Sequence, residues 1–119
     1  MKRFALLLPH ATDRYSRLST EEYAEVMGDY FAWVQARVAE GTYKAGHKLS
    51  THEGRHLTTR GGALEVHDIP STEIAEVVGG IMIIEAEDLD AAVDAVRDHP
   101  HLRHNHDLLV LPVDPASES

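Results

Sequence analysis

Cysteine is absent from the 119 residues, which excludes a disulfide framework, a thiolate metal site and a thiol nucleophile. Basic residues are scarce: 11 Lys and Arg face 20 Asp and Glu, a formal charge of −9 with His neutral. Without a basic stripe there is nothing to displace counterions from a phosphate backbone, so nucleic acid is not an expected partner. No apolar run approaches the roughly 18 residues of a membrane span. No charged-then-apolar leader precedes a small-residue cleavage site, and the expected compartment is the bacterial cytoplasm. Gly79-Gly80 precedes a strand rather than a helix, so it is no phosphate cradle, and no Ser-centred nucleophile elbow occurs. Histidine, by contrast, is plentiful: nine residues, each ordinarily titrating near pH ~6.5, so the net charge should shrink in mild acid.

The elements follow from apolar spacing. Phe4-Ala5-Leu6-Leu7-Leu8, bounded by Pro9, is a continuous apolar run of the kind that forms a strand covered on both faces. Ser19 with Glu22 three residues on is a capping box, and Leu18 is placed to staple onto Tyr23. Tyr23, Val26, Met27, Tyr30, Val34 and Val38 then recur at helical spacing, with Trp33 off that stripe, until Gly41 stops the helix. Thr42 to Leu49 reads as a strand in which Gly46 marks a bulge or a close backbone approach. Arg60-Gly61-Gly62 between two short polar-rich strands, Arg55 to Thr59 and Ala63 to Val66, is a hairpin signature. Ile81-Met82-Ile83-Ile84 is β-branched and apolar, hence a central strand. Leu89, Ala92, Val93 and Val96 share a face of a second helix, which Pro100 closes, and Leu108 to Leu111 form the last strand.

The order is βαβ, hairpin, βαβ. In one domain of this size, residues 1–113 with a flexible tail at 114–119, that predicts an α+β, ferredoxin-like antiparallel sheet with two helices on one face and an inserted β-hairpin. The other sheet face then lacks a cover. A second copy of the chain is the simplest one, which predicts a homodimer with its sheets face to face.

The residues also carry a likeness. Leu18-Ser19-Thr20-Glu21-Glu22, Ala39-Glu40-Gly41, Ala45-Gly46-His47-Lys48-Leu49, Asp68-Ile69-Pro70 with Glu73, Glu76 and Gly79-Gly80, Leu89-Asp90-Ala91-Ala92 and His99-Pro100-His101-Leu102 come in an order that resembles the YCII-related family. The resemblance is to its DGPF-motif branch in particular, and it spans nearly the whole chain. It implies a dimeric α+β barrel with a small-molecule cleft between sheet and helices. Two positions depart from the branch: Asp68-Ile69-Pro70-Ser71 stands where the naming motif has Asp-Gly-Pro-Phe, and Ile74-Ala75-Glu76 stands where a lysine is common. In the members with a proposed His–Asp acid–base pair, the first-helix histidine falls eleven residues before the helix-ending glycine. That position is Tyr30 here.

Candidate chemistry is modest. Asp68, a turn carboxylate beside His67, reads either as a general base or as a turn-closing acceptor of backbone N–H groups. His10 at the end of the first strand and His47 beside Gly46 complete the candidate catalytic set. Tyr30, Trp33 and Glu73 are the candidate ligand-binding residues. Tyr30 reads as core or as cleft lining, and Trp33 as cleft edge or dimer contact. His99 to Asp107 holds four histidines in eight positions, but the spacing matches no zinc signature and Arg103 places a cation among them. Polar loop histidines are the expectation there, with no metal and no cofactor. Glu73, Glu76, Glu85, Glu87, Asp88 and Asp90 read as a solvated linker and an acidic first helical turn. Two functions remain: a small-molecule-binding homodimer with isomerase- or lyase-like acid–base chemistry and no cofactor, or a non-catalytic accessory, metabolite-sensing or protein-interaction module.

Overall fold

A computed structural model describes residues 1–9, 18–50, 53–70, 73 and 78–118. The elements in chain order are β1 (Lys2–Leu7), α1 (Thr20–Ala39), β2 (Tyr43–Lys48), β3 (Arg55–Arg60), β4 (Ala63–Asp68), β5 (Gly80–Ala86), α2 (Leu89–Ala95), α3 (Pro100–Arg103) and β6 (Leu109–Pro112). Four strands form one antiparallel sheet in the order β2-β5-β1-β6. Setting the hairpin aside, this is the ferredoxin-like order, in which the two βαβ units interleave their strands. The Cα envelope of 48 × 44 × 18 Å is that of a thin two-layer slab.

Side-chain alternation gives the sheet two unlike faces. On the helix side, Phe4, Leu6, Leu8, Ile84 and Ala86 are buried and meet Trp33 from α1 and Ala92 and Val96 from and just after α2. On the other side, register aligns two rows across the strands: His47–Ile81–Leu7–Leu109, and Ala45–Ile83–Ala5–Leu111. No element among the described residues covers these rows; the interior strands are half-buried, whereas Leu109 and Leu111 are 49% and 48% exposed.

Local chemistry accounts for the element ends. Ser19 accepts the N–H of Glu22 and Glu22 accepts that of Ser19, both at 3.1 Å, closing the capping box at the start of α1. Gly41, at φ +78°, takes the left-handed conformation that ends the helix. Gly61 and Gly62 both have positive φ, as a two-residue type I′ hairpin turn requires. A register shift between Tyr43 and Ala45 bulges β2, and the phenol of Tyr43 occupies the space a side chain at Gly46 would need.

Three expectations shift. The helix α1 stripe is rotated: Trp33, taken as off the stripe, is core, while Val38 is half exposed. Tertiary packing against β1 and β5 draws in the largest ring available. Pro100 opens α3 at its first position rather than closing α2, because a missing N–H costs nothing there. The last strand runs one residue later than expected, Leu109–Pro112. Residues Pro115–Ser117 form a 3-10 turn capped by Asp114, and Glu118 lies 3.6 Å from Arg3.

Candidate functional site: a buried imidazole cluster

The densest chemistry lies where α1 meets the short helix α3. Pro100 fixes the first turn of α3, and the side chain of His99 caps it: Nδ1 accepts the backbone N–H of His101 at 3.0 Å. An imidazole accepting at Nδ1 carries its proton on Nε2, which faces the Met82 sulfur at 3.5 Å. His99 is fully buried and its ring lies 4.4 Å from that of Trp33. Burial pushes its pKa down to about 4, with the neighbouring His101 adding to the effect, so the ring is neutral at pH 7.

His101 is 2% exposed and uses both ring nitrogens. Its Nε2 lies 2.7 Å from the carbonyl of Pro9, which can only accept, so this nitrogen donates. In the neutral ring Nδ1 must then accept, and the Tyr30 hydroxyl, 2.6 Å away, donates to it. One imidazole thus ties the end of β1 to the middle of α1. His106 is also buried and stacks on His101 with centroids 4.8 Å apart. Asn105, at φ +64°, makes the left-handed turn that returns the chain between them.

Around this core lie two contacts with carboxylates. His104 Nε2 is 3.1 Å from Asp29 Oδ2, and its ring stacks over Tyr30 at 6.2 Å. The Trp33 indole N–H donates to Asp98 at 3.0 Å. That bond, together with the Arg37 guanidinium 3.8 Å away, holds the Asp98 carboxyl below the usual range. The expectation of polar loop histidines in this segment does not hold, since His99, His101 and His106 are the buried polar side chains of the described core. Among the described residues no group of three His, Asp or Glu side chains is arranged to hold a metal ion.

With this geometry in place, the family model of the YCII-related domain matches residues 3–113. The chain belongs to the YCII-related family. No curated protein matches it in sequence. A solved structure of At3g17210 from Arabidopsis thaliana is similar over 97% of this chain and 95% of its own, at 16% identity and a TM-score of 0.39; so loose a likeness bears no weight.

Within this YCII-related fold the candidate residues are scattered. Tyr30 and Trp33 both pack on His99, at ring distances of 5.9 and 4.4 Å. Trp33, expected at a cleft edge or dimer contact, is in the core at 4% exposure. His47 is exposed on the open face of the sheet, opposite the helices. Asp68 ends β4, its side chain 87% exposed and paired with Arg55 at 3.1 Å. Glu73 is exposed, with its backbone N–H bonded to the Pro70 carbonyl. His10, like Glu76 of the acidic linker, lies outside the described residues. The role of His101 escaped the sequence reading. Its signal was the His-Pro pair, a capping side chain before a first-turn proline, which makes the following residues a helix rather than a loop.

Proposed function

We propose that the protein is a YCII-related homodimer that binds a small organic molecule in the layer between helices and sheet and performs acid–base chemistry of the isomerase or lyase type there, without a cofactor. The observation that carries this reading is the imidazole cluster beneath α1. A core of this size needs no histidines to fold, and burying three of them costs free energy unless every nitrogen is matched. The dimer is supported by the two apolar rows on the open sheet face, a surface that a lone subunit would leave to water. Within the family, the DGPF-like reading rests on Ala45-Gly46-His47-Lys48-Leu49 and Asp68-Ile69-Pro70.

The test has two parts. Sedimentation at micromolar concentration is expected to give a dimer of the 13.2 kDa chain, and a thermal-shift screen of small acids, phenols and carbonyl compounds is expected to give at least one stabilising ligand. A 13.2 kDa monomer refutes the first part, and a blank screen refutes the second.

One observation favours a non-catalytic module instead. Among the described residues the hairpin β3–β4 pairs only with itself, and Leu57, Leu64 and Val66 on one of its faces are each more than half exposed. A pull-down that depends on those three side chains, with no small-molecule shift, would support that reading.

A further inference from the structure

We propose that Tyr30 and His101 form the proton-transfer pair of this protein, with the Tyr30 hydroxyl meeting the ligand and the buried His101 ring acting as the base behind it. The inference rests on the small-molecule reading above and gives that site its reacting atoms. None of His10, His47 or Asp68 is part of the pair.

The geometry gives each atom one role. The Pro9 carbonyl holds the proton of His101 on Nε2, and this leaves Nδ1 as an acceptor aimed at Tyr30 Oη. A base locked in one tautomer by a second hydrogen bond is the arrangement by which imidazoles are made ready to accept a proton. His101 is 2% exposed and stacked on one face by His106, whereas Tyr30 is half-buried, so Tyr30 is the residue of the pair nearer solvent. His99 approaches both rings edge-on, and among the described residues His101 is the imidazole hydrogen-bonded to the phenol. His104 stacks over the Tyr30 ring and is itself held by Asp29, an anion that would favour a cation forming nearby.

The step balances without any co-reactant. A ligand carrying an acidic O–H or activated C–H gives its proton to Tyr30 Oη while the Tyr30 proton moves to His101 Nδ1. The ligand becomes an enolate or phenolate anion, Tyr30 is again a neutral phenol, and His101 is an imidazolium donating to both Tyr30 and Pro9. Return of the proton to a different ligand atom completes an isomerisation. The ligand class is therefore a small enolisable carbonyl compound or phenol, bound neutral and held as its anion.

4-Nitrophenol is the probe, because its ionised form absorbs in the visible and so reports where the proton is. With the wild-type protein, bound 4-nitrophenol is expected to be more ionised than free probe at the same pH. The ring-nitrogen shifts of His101 should change from the Nε2–H neutral pattern to the imidazolium pattern as probe is added. His101→Gln can still donate to Pro9 but cannot take a proton; it is expected to bind the probe without ionising it. Tyr30→Phe is expected to weaken binding at least fivefold, with far-ultraviolet dichroism and Trp33 fluorescence confirming the fold of both variants. Ionisation by His101→Gln equal to wild type overturns the proton-pair assignment while leaving the small-molecule reading standing. So does failure of 4-nitrophenol to bind when another compound in the screen does. If no compound binds at all, both fall together.

Discussion

Burial disfavours the charged form of an imidazole, and His99 shows the consequence. Its pKa is about 4 in the folded chain against 6.5 as a free group. Between those values the unfolded chain takes up a proton and the folded chain does not, so stability falls as pH drops from 6.5 toward 4 and levels off below. The gap corresponds to roughly 3 kcal/mol, a large share of a small domain's stability. His99→Asn keeps an oxygen able to cap α3 but removes the titrating group. Urea unfolding at pH 7 and pH 4.5 should therefore show a smaller loss between the two in the variant than in wild type; equal losses would place the acid sensitivity elsewhere. Trp33 allows a second measurement at one residue. Its indole N–H is the main cause of the depressed Asp98 pKa, so Trp33→Phe should move the Asp98 titration, followed by carboxyl carbon shifts, up toward ordinary carboxylate values. No movement would assign the depression to Arg37.

Element by element, stability and legibility track how local the deciding chemistry is. The start of α1 is written in four residues, Ser19 through Glu22, and the reciprocal bonds of the capping box are present. Ser19→Ala leaves the Glu22 N–H without its acceptor and is expected to cost about 1 kcal/mol, read as a lower urea midpoint with unchanged slope. A variant as stable as wild type would mean water replaces the cap in full. The Gly61-Gly62 turn and the strand at Ile81 to Ile84 were legible for the same reason: backbone conformation and β-branching act over neighbours. The rotation of α1 was not legible. Tyr30, Trp33 and Val34 lie within one turn, and periodicity alone cannot say which of two adjacent stripes faces a sheet that has not yet been placed. Trp33 wins because Asp98, sixty-five positions away, accepts its N–H and the pocket around His99 fits its ring. The imidazole cluster was hidden likewise. The bond from Tyr30 to His101 spans 71 positions, and only the His-Pro pair hinted that the segment was a capped turn of helix.

At the scale of the whole molecule, the unmatched quantity is the open sheet face. Leu7 sits between Ile81 and Leu109, and Ala5 between Ile83 and Leu111, so two cross-strand rows present aliphatic side chains to one side of an 18 Å slab. A two-fold dimer through this face uses the same patch on both copies, so a single substitution acts twice. Leu109→Glu would bury two carboxylates among rows that contain neither Lys nor Arg, at several kcal/mol in all. It should weaken association at least ~100-fold, the equivalent of about 3 kcal/mol. Leu102→Glu, on an exposed position of α3 on the helix side, is the matched control and should leave association unchanged. Sedimentation velocity over a range of concentrations reads both, and dichroism verifies that the dissociated Leu109→Glu chain keeps its fold. If Leu109→Glu stays dimeric while substitutions at Leu57, Leu64 and Val66 release monomer, the contact runs through the hairpin. The sheet face would then be a binding surface for something else. His47 lies at the end of the Ile81 row, so the same experiment decides whether that imidazole is shut inside an interface or left open to solvent.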